Sequence, residues 1–222
     1  MKSFKTMFLV TALAGAIFLY GCSASNTVKG GAIGGAAGGV VGGVIGNQYD
    51  NTALGAIIGA VVGGTAGALI GNYMDNQAEE MENDIAGAKI ERVGEGIKIT
   101  FDSGILFASN SSTLEYQARS NITSLATILN KYPDTNILFT GHTDSDGSEE
   151  YNQTLSESRA KSVSQFTASQ GVSSARFSVI GLGELEPVAS NDTDSGKQMN
   201  RRVEIAIFAN EDLKDAAEKG ML

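Results

Sequence analysis

Between Lys29 and Asp75 the chain carries a single charged residue, Asp50, and sets glycine at every fourth position in two runs. The first is Gly30, Gly34, Gly38, Gly42 and Gly46; the second is Gly55, Gly59, Gly63, Gly67 and Gly71. They are copies of one unit at an offset of 25 residues, since Gly42-Gly-Val-Ile-Gly46-Asn-Gln-Tyr-Asp-Asn51 returns as Gly67-Ala-Leu-Ile-Gly71-Asn-Tyr-Met-Asp-Asn76. Residues four apart share a helix face, so each copy would present a strip of bare backbone to which another segment can come close. In water each such glycine costs a helix about 1 kcal/mol relative to alanine. A lone solvated helix is therefore disfavoured, and the segment must pack, in a bilayer or against itself, with its backbone groups satisfied internally. Each charge-free stretch approaches the ~20 residues of a membrane span. The expectation is a membrane-associated helical hairpin over residues 30–75, turning at 47–52 and able to self-associate; a compact Gly-Ala-Val tether is the other reading of this composition.

Upstream, Lys2 and Lys5 precede an apolar run from Met7 to Tyr20 that reads as a secretory signal over residues 1–21. The run ends in Leu19-Tyr-Gly-Cys22, and Cys22 is the only cysteine in the chain. A lone thiol at this point of an exported chain needs a reason. The segment resembles the lipobox of bacterial lipoproteins, which implies that Cys22 becomes a lipidated first residue on a tether of residues 22–29. Ser23, with no aspartate there, implies sorting to the outer membrane by resemblance to the enterobacterial rule.

Residues 76–87, with Glu79, Glu80, Glu82 and Asp84, read as an acidic linker. The rest alternates strand and helix patterns. Residues 89–93 and Ile97-Lys-Ile-Thr-Phe101 flank a turn at Gly94-Glu-Gly96, and a further short strand is expected at 105–107. Leu114, Ala118, Ile122, Leu125 and Leu129 make a helical stripe that stops at Lys131-Tyr-Pro133. Strands are expected at 136–141, 177–181 and 203–208, with a helix between the first two closed by Gly171. Strand-helix-strand units favour parallel pairing. The tail, 210–222, reads as a frayed solvated helix.

The helix after residue 148 holds an anomaly. Leu155, Arg159, Val163 and Phe166 fall on one stripe, which puts a guanidinium where periodicity asks for an aliphatic side chain. A buried unpaired cation is costly, so an anion must face it, from the protein or from a ligand. Asp144, at the end of the preceding strand, is the nearest candidate upstream; a helix arginine that merely extends its head to water is the alternative.

Gly141-His-Thr-Asp144, Tyr151-Asn152, Leu155-Ser156, Arg159-Ala160, Val163 and the distant Asn200-Arg-Arg-Val-Glu-Ile together resemble the OmpA-like peptidoglycan-binding domain, here over residues 88–209. The resemblance implies an α/β sandwich with a βαβαβ core and two main helices on one face of a mixed sheet, here preceded by the glycine-rich hairpin. It also implies a groove for the stem peptide of peptidoglycan. Asp144 would receive the ammonium and Arg159 the carboxylate of the stem diamino acid, while Asn152, Arg201 and Asn110 line or brace the groove. At Ala108 the chain carries alanine where many members carry aspartate.

Net charge of -9 disfavours a nucleic-acid partner, which needs clustered cations. With one His and one Cys the chain cannot build a multi-ligand Cys/His zinc site. Asp144-Ser-Asp146-Gly147 and Asp192-Thr-Asp194-Ser-Gly196 lack the twelfth-position glutamate of a calcium loop, and no Gly-x-Ser-x-Gly elbow supports a hydrolase around His142. No catalysis, metal or cofactor is expected. The two functional readings are a lipid-anchored binding protein joining the outer membrane to the cell wall, its head in the periplasm, and a membrane-active assembly protein that oligomerises or forms a pore through its glycine repeat.

Overall fold

The computed structural model describes residues 51–222. The expected signal, Cys22 and the first glycine copy lie outside those residues. Helices α1 (Thr52–Gly59) and α2 (Gly64–Asp84) come first, followed by the hairpin of β1 (Ala88–Val93) and β2 (Gly96–Asp102). After a single helical turn, α3 (Ser103–Leu106), the chain runs through α4 (Tyr116–Lys131), β3 (Thr135–Gly141), α5 (Glu149–Ser169) and β4 (Phe177–Gly181). It closes with α6 (Asp194–Asn200), β5 (Arg202–Ala209) and α7 (Glu211–Glu218).

The sheet order is β1-β2-β5-β3-β4. All neighbours are antiparallel except β3 and β4, the pair joined by the α5 crossover. The last strand in sequence thus lies in the middle, between β2 and β3, and its pleat sends Val203, Ile205 and Ile207 to one face and Arg202, Glu204, Ala206 and Phe208 to the other. On the first face these residues join Ile97, Ile99, Phe101, Ile137 and Phe139 in the main core, closed by α2, α4, α5 and α7. The two helices expected on this face are α4 and α5. The stripe Ala118, Ile122, Leu125 and Leu129 of α4 is buried as its spacing requires.

The second glycine copy and the acidic stretch are built into the same body. α1 covers the opposite face of the sheet, packing Ala53, Ala56 and Ile57 on Leu138, Ala206 and Phe208. Asn51 caps it, accepting from Leu54 N at 2.8 Å, while its amide donates to the Glu204 carboxylate at 2.9 Å. α2 runs through residues 76–84 without a break, so the acidic residues belong to a helix whose inner stripe is Ile70, Met74, Ala78 and Met81. Glu95, at the β1–β2 turn, accepts from Val62 N and Gly63 N at 2.8 Å each and lies against Gly67 so closely that a Cβ there would collide with its carboxylate. At Gly67 the missing side chain thus serves close approach to the head.

Two local expectations are corrected. Residues 105–107 do not form a strand: Asp102 accepts from Gly104 N at 2.7 Å and starts the turn of α3, leaving Phe107 a single bridge to Leu114. The tail is no frayed helix either, because Leu213 and Ala217 of α7 are buried in the main core beside α2.

Candidate functional site

The carboxyl end of β3, the loop 142–148, the start of α5 and the end of α6 meet at one edge of the sheet. Helix α5 comes unusually close to the strands there. A side chain at Gly141 would run into the Ser156 carbonyl, and one at Gly181 would stand 2.5 Å from Glu157 N. Two glycines thus let the helix backbone settle on β3 and β4, and that seating fixes the depth of Arg159. Ser148 caps α5 by accepting from Tyr151 N at 3.2 Å, with Glu149 and Glu150 in the first turn where the helix dipole favours acids.

Arg159 is 4 % exposed. Its guanidinium carbon stands 5.5 Å over the centre of the Phe107 ring, and Nε donates to the Ser111 carbonyl at 3.1 Å. Among the described residues it forms no ion pair, and its terminal nitrogens have no protein acceptor. Burial, and the nearby Arg201 cation, lower its pKa, with Tyr151 and Asp144 opposing. A sequestered cation whose charge no carboxylate neutralises is a site where an incoming anion gains more than on an open surface.

Asp144, 6 % exposed, does not pair with Arg159. Its Oδ2 accepts from Arg201 Nη1, its Oδ1 from Asp146 N at 3.1 Å, and its main-chain carbonyl from Asn152 Nδ2 at 3.2 Å. The direct acid-to-helix pairing open to the sequence is thereby corrected: Arg201, brought alongside by β5, takes the acid and leaves Arg159 free. Arg201 keeps 40 % of its side chain exposed and Asp144 9 %, so this pair sits at the rim with the acid on its inner side.

Asn152, 1 % exposed, also donates to Glu184 at 2.6 Å, tying the 142–148 loop to the 182–193 loop. Asn110 makes no side-chain hydrogen bond among the described residues. With φ of 54° it is the one described non-glycine residue in the left-handed region, and it turns the loop that presents the Ser111 carbonyl to Arg159. Asn200 accepts from Val188 N and Ala189 N at 2.8 and 3.0 Å and anchors the 182–193 loop from α6.

Sequence reasoning missed Phe107 as the floor under Arg159, Ser111 as its acceptor and Glu184 as the partner of Asn152. Only Asn200 had a signal, standing in the quoted Asn-Arg-Arg string. Lys197 on Asp146 at 2.7 Å, with Arg201 on Asp144, neutralises the acidic loop from within.

Behind the rim lies a buried pair. Arg202 donates to Glu204 at 2.8 Å, both 2 % exposed or less, with Asn51 and the Glu186 carbonyl completing their hydrogen bonds. Burial raises the Glu204 pKa, but the Arg202 cation and the bonds from Arg202 and Asn51 outweigh it and hold the group below its usual value. The buried His142 ring, with neither nitrogen partnered, is pushed down to about 3 by desolvation and by Arg202. His142 is thus a neutral wall of the strand end.

Compared with known proteins, residues 106–201 match the OmpA family and residues 1–75 the YMGG-like Gly-zipper. Over 121 residues the chain is 39 % identical to the probable lipoprotein YiaD of Escherichia coli, covering 54 % of this chain and 55 % of that protein. It is 39 % identical over 115 residues to the outer-membrane lipoprotein YfiB of Pseudomonas aeruginosa, covering 52 % and 68 % respectively. The chain thus spans little more than half the length of YiaD. Among solved structures, the cell wall anchor of the type VI secretion system (T6SS) from Pseudomonas aeruginosa superposes with a TM-score of 0.55 at 30 % identity, over 60 % of this chain and 97 % of that one. No helix among the described residues is long and apolar enough to cross a membrane.

Proposed function

The chain belongs to the OmpA family, and we propose on that premise that it is a noncatalytic envelope protein whose head binds the stem peptide of peptidoglycan and joins the outer membrane to the cell wall. The observation that carries the reading is Arg159, buried, stacked on Phe107 and without a protein carboxylate. A small zwitterion satisfies the rim as it stands. Its carboxylate takes the free guanidinium nitrogens of Arg159, and its ammonium shares Asp144 with Arg201 and the loop carbonyls. A diamino acid within a peptide carries both charges on its free end.

Names of relatives point the same way: YfiB is an outer-membrane lipoprotein, and the matched solved structure is a cell wall anchor. In this reading Cys22 carries the lipid, Asn152 and Arg201 hold the loop and the acid in place, and Asn110 shapes the opposite wall. The second glycine copy is occupied in covering the head, which leaves only the first copy for the membrane and weakens the pore-forming alternative.

Cosedimentation of the full chain in detergent with purified sacculi tests the proposal. The protein pellets with the wall, and Arg159→Ala or Asp144→Ala leaves it in the supernatant. Losing one charge-assisted bond of about 1.5 to 3 kcal/mol weakens binding roughly ten- to 150-fold. Undiminished pelleting of the Arg159→Ala protein would refute the assignment of the site. Palmitate labelling that persists in Cys22→Ala would refute the anchor.

A further inference from the structure

Beyond the diamino-acid clasp, the loop that turns at Asn110 opens onto a groove with no role so far. One cavity of about 480 Å³ lies between Ala108, Ser111, Tyr116 and Arg119. A second, of about 430 Å³, lies between Ser112, Arg119, Ser162 and Phe166, and the two share Thr113, Leu114 and Arg119 as a common wall. Ser111, whose carbonyl takes Arg159 Nε, lines the first cavity and is the residue that the groove and the clasp have in common.

Arg119 stands at the junction and is held in place. Its Nε donates to the Leu114 carbonyl at 3.2 Å, and its guanidinium carbon lies 5.8 Å from the centre of the Phe166 ring. Among the described residues it has no ion pair; Glu115, the one acid lining the first cavity, does not reach it, and the second cavity has no acid in its lining. Ser112, Thr113 and Ser162 add hydroxyls on either side. An oriented, unneutralised guanidinium between hydroxyl-bearing walls suits a planar carboxylate. Ala108 also lines the first cavity, at a place where an acid would narrow it and repel that carboxylate.

We propose that this groove is a second subsite of the same ligand, in which Arg119 binds a carboxylate on the peptide residue next to the diamino acid. The inference rests on the stem-peptide reading of the clasp, and it makes the protein sensitive to whether that neighbouring carboxylate is free or amidated.

Isothermal titration of the full-length protein in detergent separates the two claims. The probes are free diaminopimelate, a stem tripeptide with a free carboxylate on the residue before the diamino acid, and the same tripeptide amidated there. An exposed charge pair of this kind is worth up to about a fivefold change in affinity. Arg119→Gln is expected to weaken the free-acid tripeptide by that factor and leave diaminopimelate unchanged. Amidation is expected to weaken the ligand for the wild-type protein but not for Arg119→Gln, and Arg119→Lys is expected to restore part of the preference. Equal affinity of wild type and Arg119→Gln for the free-acid tripeptide would overturn the subsite while leaving the clasp standing. Equal loss for diaminopimelate would overturn it too, by placing Arg119 in the clasp or in folding. If the wild-type protein binds none of the three probes, the stem-peptide reading falls and takes the subsite with it.

Discussion

Replacing Ile57 with alanine tests whether the second glycine copy belongs to the head. Ile57 is 1 % exposed and packs through α1 on Leu138, Ala206 and Phe208, with the Gly96 backbone so close that a Cβ there would come within 2.5 Å of its side chain. The substitution removes three carbons from a closed site, about 2.4 kcal/mol in transfer free energy at 0.8 kcal/mol per carbon. A cavity term is added where the wall cannot collapse, and the central strand β5 under the residue is held on both sides, so a loss of about 3 to 4 kcal/mol is expected. Urea unfolding of the chain from residue 23 onward, followed by far-ultraviolet circular dichroism, reads this as a lower midpoint at unchanged slope. Heating reads it as a drop of roughly 6 to 16 °C, at 2 to 4 °C per kcal/mol for a domain of this size. Val61→Ala, at a 47 % exposed position in the same segment, is the control and should stay within about 0.5 kcal/mol. If Ile57→Ala costs no more than the control, α1 does not cover the sheet and residues 51–75 are free to act elsewhere. By the same logic a fragment starting at residue 88 exposes Leu138, Ala206 and Phe208, strips Asn51 from Glu204, and should aggregate where the longer chain stays monomeric.

Acid should weaken the fold through His142. The unfolded chain takes up a proton below pH 6.5 that the folded ring, lowered to about 3, refuses, so this contribution is complete above pH 6.5 and erodes as pH falls toward 3. The slope is about 1.4 kcal/mol per pH unit, measurable by urea titration from pH 7 to 4.5, and His142→Leu should lack it. Glu204, held below its ordinary 4.5, adds a second loss only as pH falls below that value. Arg202→Ala leaves Glu204 charged and buried and should cost about 3 to 5 kcal/mol in the same assay, whereas Arg202→Met with Glu204→Gln should recover most of it, since the charge is then gone and the side-chain oxygen can still accept from Asn51.

Much of the head was readable along the chain. The alternation of Ile97, Ile99 and Phe101 marks β2 and the 3.6-residue stripe of Ala118, Ile122, Leu125 and Leu129 marks α4, local consequences of pleat and helix pitch, whereas Leu114, expected on the same stripe, lies before the helix and bridges Phe107. Arg159 stood out by the same means, because one cation on an apolar stripe breaks a pattern that burial enforces. The tail was misread since α7 has only Leu213 and Ala217 as its buried residues, too few to declare a face without sight of α2. Residues 105–107 were misread since three apolar side chains in a row fit a strand or a helical turn equally well.

The primary structure alone determined which segments repeat, which strands alternate and that a guanidinium stands on an otherwise apolar stripe, since each follows from spacing within a few turns or pleats; that Arg159 is buried there came from the fold. The tertiary structure decided the partners. Asp144 meets Arg201, 57 positions away, because β5 inserts between β2 and β3 and delivers the residue before it to the end of β3. Gly63 and Gly67 of the second copy serve the head because Glu95 stands in reach of them, and Ala53, Ala56 and Ile57 do so because the outer sheet face lies under them; that proximity exists only once the sheet has formed.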